Sequence, residues 1–353
     1  VKKGAIIGVA VAAALVAAGV WIVRARMTTE HQRLYVSCEE SGAVTVVDLD
    51  DRVVAATIPV GKRPRGIQLS PDRATVYVAL SGSPSGGPPG KKEPAKKDDD
   101  DDDKQAADKS ADGIGAIDVR SGKLERTLPS GSDPEQLAVS LDGKSLFVAN
   151  EDAAELSVID VAKRAVSGSV KVGKEPEGVT LAPDGKSVWV TSEADGKVFV
   201  VDTSSLSVSA TVEVGGRPRA VAVTRDNARA VVTLENDAAV AVVDVAQRKL
   251  AKTVKLEGAN VRPMGVVLSP DDSTAYVTTG RGKTVVAVDV ASGAVAWSIE
   301  VGERPWGIAI APDGKTLYTA NGTSEDIAIV RIPERAVVAR LKVPGRPWGV
   351  AVR

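Results

Sequence analysis

Seven prolines, Pro64, Pro134, Pro176, Pro218, Pro263, Pro305 and Pro347, stand 70, 42, 42, 45, 42 and 42 residues apart. One unit of 42 residues therefore runs through the chain, lengthened once by 28 residues and once by 3. A sustained period near 40 belongs to solenoids and propellers. One copy reads VGKEPEGVTLAPDGKSVWVTSEADGKVFVVDTSSLSVSATVEV and divides into four Val-rich runs: GVTLA, SVWVT, KVFVV and a run ending TVEV. Each is bounded by Gly, Pro, Asp or Ser and has the length and composition of a strand. Four strands per repeat of this size make a propeller blade.

The array begins on a second strand, RLYVS at 33–37, and ends on a first strand, GVAVR at 349–353. The strands sort into seven complete blades only if these two pair. The expected fold is thus an all-β, seven-bladed propeller of four-stranded blades over 31–353, closed by strand 349–353 pairing with strand 33–37. The turns carry their own signals. APDG at 182–185 and 311–314 offers a preset φ, a side-chain acceptor and a residue suited to positive φ. Asp48, Asp118, Asp160, Asp202, Asp244 and Asp289 end third strands, with Arg331 in that place in the last repeat. Capping of the following turn is the expected role of the aspartates.

Composition removes several function classes. A formal net charge of -1 argues against a nucleic-acid partner, which needs an electropositive face. Cys38 is the sole cysteine, so neither an intrachain disulfide nor a multi-cysteine metal or redox motif is available. His31 is the sole histidine, which argues against Ser-His-Asp catalysis and multi-histidine metal sites. Residues 4–23 are uncharged and almost wholly apolar, flanked by Lys2, Lys3, Arg24 and Arg26. At ~1.5 Å per residue a helix of that length crosses the hydrocarbon core. Residues 1–30 are therefore expected to form one hydrophobic helix, a signal anchor or a signal peptide. Val16-Ala17-Ala18 would suit cleavage, whereas continuation through Trp21-Ile22-Val23 favours an anchor. Either way the propeller is expected to be periplasmic or extracellular and monomeric; on the favoured anchor reading it is held to the cytoplasmic membrane through residues 4–23.

The 28 extra residues fall in blade 2, between TVYVAL and IGAIDV. The segment 82–112 is rich in Gly, Pro, Lys and Asp, lacks large apolar groups, and is expected to be disordered. Its run Asp98–Asp103 lacks the spaced ligands and turn glycine of a calcium loop. A solvated loop is the favoured reading, with weak, non-specific divalent-cation binding as the alternative.

Candidate functional residues follow from the frame. In propellers the loops from fourth to first strand and from second to third surround one mouth of the central channel. The residue after each motif proline reads Arg65, Glu135, Glu177, Arg219, Met264, Trp306 and Trp348; the residue before reads Arg63, Asp133, Glu175, Arg217, Arg262, Arg304 and Arg346. Variation within a fixed frame marks positions that the frame does not need. Trp306, Trp348, Arg63, Arg65, Arg304 and Arg346 come from neighbouring blades and predict a basic, aromatic sector. Asp133, Glu135, Glu175 and Glu177, with Glu151, Glu193 and Glu235 from the second-to-third loops, predict an acidic sector opposite, and Glu39 stands apart. Arg forks suit carboxylates or phosphates and Trp offers a stacking face. The plainer alternative is that Arg and Glu of adjacent loops pair with each other while Trp covers blade edges.

The copies VIDVAKRAVSGSVKVGKEPEGVTLAPDGKSVWVTS and RLYVSCEESGAVTVVDLDDRVVAATIPVGKRPRGIQLSPD resemble YVTN-type propeller repeats, known from surface-layer proteins. LPSGSDPEQLAVSLDGKSLFVANED, VGKEPEG and VGERPWGIAIAPDGKTLYTANG are similar, in that order, to the propellers called PQQ-dependent catabolism-associated. That resemblance implies an association with quinoprotein alcohol oxidation. It does not imply a quinoprotein dehydrogenase, since those have eight blades and commonly a vicinal disulfide that this chain cannot form.

Two functions are weighed. The first is an exported, non-catalytic binding or scaffold propeller, with a protein partner or small ligand at the channel mouth and no cofactor. The second is a lactonase-like hydrolase with a metal such as Ca²⁺ at the channel, for which Glu39, Glu151, Glu193, Glu235 and Asn150 or Asn321 are the plausible ligands and bases. A surface-layer role is a third possibility, less suited to a single propeller.

Overall fold

The computed structural model describes residues 31–84 and 107–353. Every sheet in it has four antiparallel strands, and there are seven sheets. Blade 4 shows the plan: Pro176–Leu181 lies innermost, followed by Ser187–Ser192, Lys197–Asp202 and Ser207–Glu213. The inner three strands are buried, whereas the outer one alternates toward solvent. Apolar side chains of neighbouring sheets mesh face to face, as in the cluster that joins Trp189, Val198 and Val200 to Val221, Val232 and Ala241. Burying both faces of each sheet explains why these strands are Val-rich throughout rather than alternating.

The ring closes as the repeat register predicts. Pro347–Val352 pairs antiparallel with Arg33–Cys38, Tyr35 opposite Ala351 and Val36 opposite Val350. The closing strand starts at Pro347, two residues before the expected 349, because Pro347 already pairs with Cys38. Two of its neighbours, Arg33 and Arg353, exchange backbone hydrogen bonds, so the ends of the array meet.

The aspartates that end third strands are turn caps. Each accepts the N–H three residues on, from Asp51, Ser121, Lys163, Ser205, Gln247 and Ser292, at 2.6–3.0 Å. Backbone donors hold the Asp48 and Asp160 carboxyls below their usual range, although burial opposes this at Asp48.

Segment 82–112 does enter between Thr75–Leu80 and Gly113–Asp118. Its described ends, 82–84 and 107–112, are held by hydrogen bonds to the propeller. Lys109–Ala111 forms a 3-10 turn capped by Asp108, and Asp112 accepts the backbone N–H of Gly82 and of Asp133. Short polar side chains thus tie the ends of the insertion to the propeller. Asp98–Asp103 and the hydrophobic segment 4–23 lie outside the described residues. Among the described residues no helix is long and apolar enough to cross a membrane.

Candidate functional site

Three local devices aim side chains at the channel mouth. The residue before each motif proline takes a left-handed conformation in six blades, with φ between 40° and 58° at Arg63, Asp133, Glu175, Arg217, Arg304 and Arg346. Such backbone costs a non-glycine residue about 1 kcal/mol or more and persists only where neighbours hold it. Here the carbonyls of Arg346, Asp133, Glu175 and Arg217 accept the N–H of Glu39, Glu151, Glu193 and Glu235 at 2.9–3.0 Å. That bond fixes each second-to-third glutamate beside its own blade's proline turn.

The second device is a bulge. In blade 2, Pro64 pairs with Leu80 and Ile67 with Val78, so Arg65 and Gly66 together face Ala79. The same shift follows Pro134, Pro176, Pro218 and Pro305, and Trp348 is the extra residue in blade 1. A bulge re-aims the side chain it releases. Trp348, Arg65, Glu135, Glu177, Arg219 and Trp306 are all released in this way. The next residue then packs beneath the neighbouring blade: a Cβ on Gly307 would lie 2.6 Å from the Trp348 carbonyl oxygen.

The third device is a hydroxyl that links blades, and sequence reasoning missed it. Thr191 Oγ1 accepts from Gly178 N–H at 2.7 Å and donates to the Arg219 carbonyl of blade 5 at 2.9 Å. Ser37, Thr233 and Thr278 repeat this between their own inner strand and the carbonyls of Arg65, Met264 and Trp306. Their common place in the repeat, one residue before the end of the second strand or at that end, was the available signal.

These devices bring the post-proline side chains together across the mouth. Trp306 and Trp348 are neighbours, with ring centroids 5.7 Å apart and planes tilted by 33°. Arg65 lies over Trp348 at 5.3 Å, while Arg219 and Arg304 lie over Trp306 at 5.3 and 5.4 Å. Arg65 forms an ion pair with the fully buried Glu135, and Arg63 bonds Glu39 at 3.2 Å. Arg219 is enclosed by Glu177, Glu193 and Glu235, and Arg217 bonds Glu193 at 2.6 Å.

Arg63, Arg65, Arg304, Arg346, Trp306 and Trp348 line one cavity together, but the division of the mouth into a basic and an acidic sector is incomplete. Arg219 sits within the acidic side and reaches a tryptophan two blades away, while Glu39 sits among arginines. Buried charge of one sign is expensive, and interleaving Arg with Glu removes that cost. The pairing alternative holds for Arg65, Arg219 and their glutamates, whereas Trp306 and Trp348 stack over the mouth rather than merely covering blade edges.

The electrostatics follow. Burial alone would raise the Glu39 carboxyl, but Arg65, Arg63 and Arg346 hold it below its usual range. Glu177 and Glu193 share Arg219: burial opposes ionisation of both, Arg219 prevails at Glu177, and the Glu177 charge adds to burial in raising Glu193. Glu151 is pushed up to about 7 by burial and then by the charges of Asp133 and Glu177.

The proposed metal set does not converge. Glu39 is committed to arginines of blade 2 and Glu193 and Glu235 to Arg219, so that, among the described residues, Glu151 alone of the four joins a group of three carboxylates close enough to share a cation. Asp133, Glu135 and Glu151 bring oxygens within 4.8 Å of one another, a group that could hold a hard cation. Ser81 already donates to Asp133 and Arg65 to Glu135. His31, Asp48 and Asp51 form a second group, but Asp48 is a turn cap there. Asn150 Nδ2 donates to Ser157 Oγ at 2.9 Å and Asn321 Nδ2 to Asp326 at 2.6 Å, so both amides brace strands.

Among the described residues, two cavities border Trp348. A mouth cavity of about 100 Å³ is lined by Arg63, Arg65, Arg304, Arg346, Trp306, Trp348 and Glu39, with Gly322 and Pro347. An axial cavity of about 150 Å³ lies among the inner strands, lined by Val179, Val221, Val266, Ile308 and Val350.

Comparison with known proteins agrees with this architecture. A family model described as YNCE-like beta-propeller matches residues 98–184. The fold is that of a seven-bladed propeller. No curated protein matches the sequence. Among solved structures, Kuenenia stuttgartiensis hydrazine synthase is 20% identical with a TM-score of 0.68, over 82% of this chain and 89% of that one. A Bacteroides uniformis protein provisionally named a 6-phosphogluconolactonase is 16% identical with a TM-score of 0.71, over 92% and 100% of the two chains. A Bacteroides fragilis protein with the same provisional name is 18% identical with a TM-score of 0.71, over 92% and 99%. Likenesses at this identity concern the fold.

Proposed function

We propose that this protein is an exported binding or scaffold propeller that holds a ligand or partner at its channel mouth. The observation that supports this reading is the mouth cavity itself. Three adjacent blades supply it with four arginines and two tryptophans at the frame positions where blades differ in residue type. A concave site with flat apolar faces and a few convergent polar groups is the usual form of a recognition site. The resemblance of the repeats to PQQ-dependent catabolism-associated propellers supports a partner in periplasmic quinoprotein oxidation. Replacing Trp306 and Trp348 with Ala and measuring both partner binding and stability tests the proposal. Loss of stability with binding intact would refute it.

One observation favours a second reading, a lactonase-like hydrolase. A general base works best with a pKa near the operating pH, and the Glu151 carboxyl is pushed up to about 7 on the acidic side of the mouth. Two of the similar structures carry a lactonase name. Assay of purified protein and Glu151→Gln on 6-phosphogluconolactone separates the readings: turnover abolished by the substitution supports hydrolysis, and no turnover by either protein removes it.

A further inference from the structure

We infer that the mouth cavity is built for a small oxyanion, a carboxylate or a phosphate, held by Arg65, Arg304, Arg346 and the indole N–H of Trp348. The inference rests on the reading of the mouth as a binding site and names its ligand class. Two buried donors lack acceptors. Trp348 is 4% exposed and its Nε1–H makes no hydrogen bond; Arg65 Nε–H makes none either, the Glu39 carboxylate lying 3.6 Å from it.

An indole N–H can only donate, so the group that satisfies it must carry a lone pair. Buried polar groups in proteins are nearly always hydrogen-bonded, and an orphan donor beside a cavity points to an acceptor within that cavity. Charge selects among acceptors. Four guanidinium groups line the cavity against one carboxylate, Glu39. Glu135, paired with Arg65, and Glu40, 3.3 Å from Arg346, are not part of that lining.

Size limits the rest. About 100 Å³ accommodates a carboxylate or phosphate with the first atoms attached to it. Trp306 and Trp348 line it with apolar faces, which lower the local dielectric around the arginines and strengthen their attraction for an anion. The arginine fork and the indole N–H then differ in role: the first supplies charge, the second supplies direction.

The experiment titrates the protein with inorganic phosphate, acetate and neutral acetamide at matched ionic strength in chloride, following tryptophan fluorescence and heat. Expected is saturable binding of phosphate or acetate but not acetamide, weakened at least tenfold in Trp348→Phe, which keeps the stack but lacks the N–H, and in Arg304→Gln. Whichever anion binds more tightly identifies the source. Acetamide binding as well as either anion, and losing affinity in Trp348→Phe, would overturn the oxyanion class while leaving a binding mouth. No saturable binding of any probe to the folded protein would overturn the inference and weaken that reading with it. Anion binding unchanged in both variants would place the anion elsewhere and overturn the assignment.

Discussion

Arg219 of blade 5 lies 5.3 Å over the ring of Trp306 in blade 7, while the same guanidinium is held by Glu177, Glu193 and Glu235. One buried cation thus ties three blades, 4, 5 and 7, together across the channel axis. Removing one member of a buried ion cluster typically costs about 3–5 kcal/mol, because the charge left behind has no partner. Arg219→Met should lose stability on that scale in denaturant unfolding. The deficit should narrow at pH 4–5, where the abandoned glutamates take up protons. Arg219→Lys should restore only part of it, since a single ammonium cannot bond three carboxylates and stack on an indole. A deficit that is constant from pH 4 to 8 would show that packing, not charge, sets the role of Arg219.

Glu151 has the opposite dependence on pH. Its carboxyl is raised from an ordinary 4.5 to about 7 in the folded protein, by burial and by Asp133 and Glu177. Folding therefore favours the neutral form. The stability this supplies is fully present below about pH 4.5 and is lost as pH rises through 7. The shift corresponds to on the order of 2–3 kcal/mol. Glu151→Gln should match the parent near pH 4 and be the more stable protein at pH 8, read as the difference in unfolding free energy. Equal pH profiles would contradict the position given to Glu151.

How far the chain could be read in advance depends on the range of the interaction. Strand runs, turn aspartates and ring closure are local or periodic features. Hence Asp202 and Pro347 could be placed from the sequence, and the closing strand was missed by only two residues. The mouth positions were legible because Trp306 and Trp348 break a pattern that Pro305 and Gly307 keep. Partner choice within the mouth was not legible. Whether Arg219 faces Trp306 or Glu39 meets Arg63 depends on how seven blades rotate about one axis and how far long side chains reach, and neither is written in the repeat. The bulge that follows six of the motif prolines was also hidden, since a stretch such as Pro64-Arg65-Gly66 reads equally well as a simple turn.

The hydroxyl links between blades should be worth measuring one at a time. Thr191→Val keeps the volume but leaves the Gly178 N–H and the Arg219 carbonyl without their partner. Leaving buried backbone groups unbonded costs about 1–3 kcal/mol. Thr233→Val and Thr278→Val should behave alike, because each breaks the same pair of bonds. Amide hydrogen exchange should show the loss at Gly178, Ala220 and Gly265 respectively. A loss of stability without faster exchange at those amides would mean that the hydroxyls do not carry the links.

Ring closure and the mouth are coupled through one strand. Pro347–Val352 completes blade 1 by pairing with Arg33–Cys38 and also delivers Trp348 to Trp306. Deleting 349–353, which keeps Trp348 in the chain, should therefore do two things together: expose an edge strand prone to self-pairing and abolish the coupled Trp306–Trp348 signal in near-ultraviolet circular dichroism. A circular permutant separates the two effects, because Arg33 N–H already bonds the Arg353 carbonyl at 3.4 Å and a short linker can join residues 353 and 31. With new ends at the exposed Leu141 turn, it should keep both the cooperative transition and the tryptophan signal. If the deleted chain retained the signal, the strand could not be what positions Trp348. If the permutant lost cooperativity, closure would depend on more than pairing of these two strands.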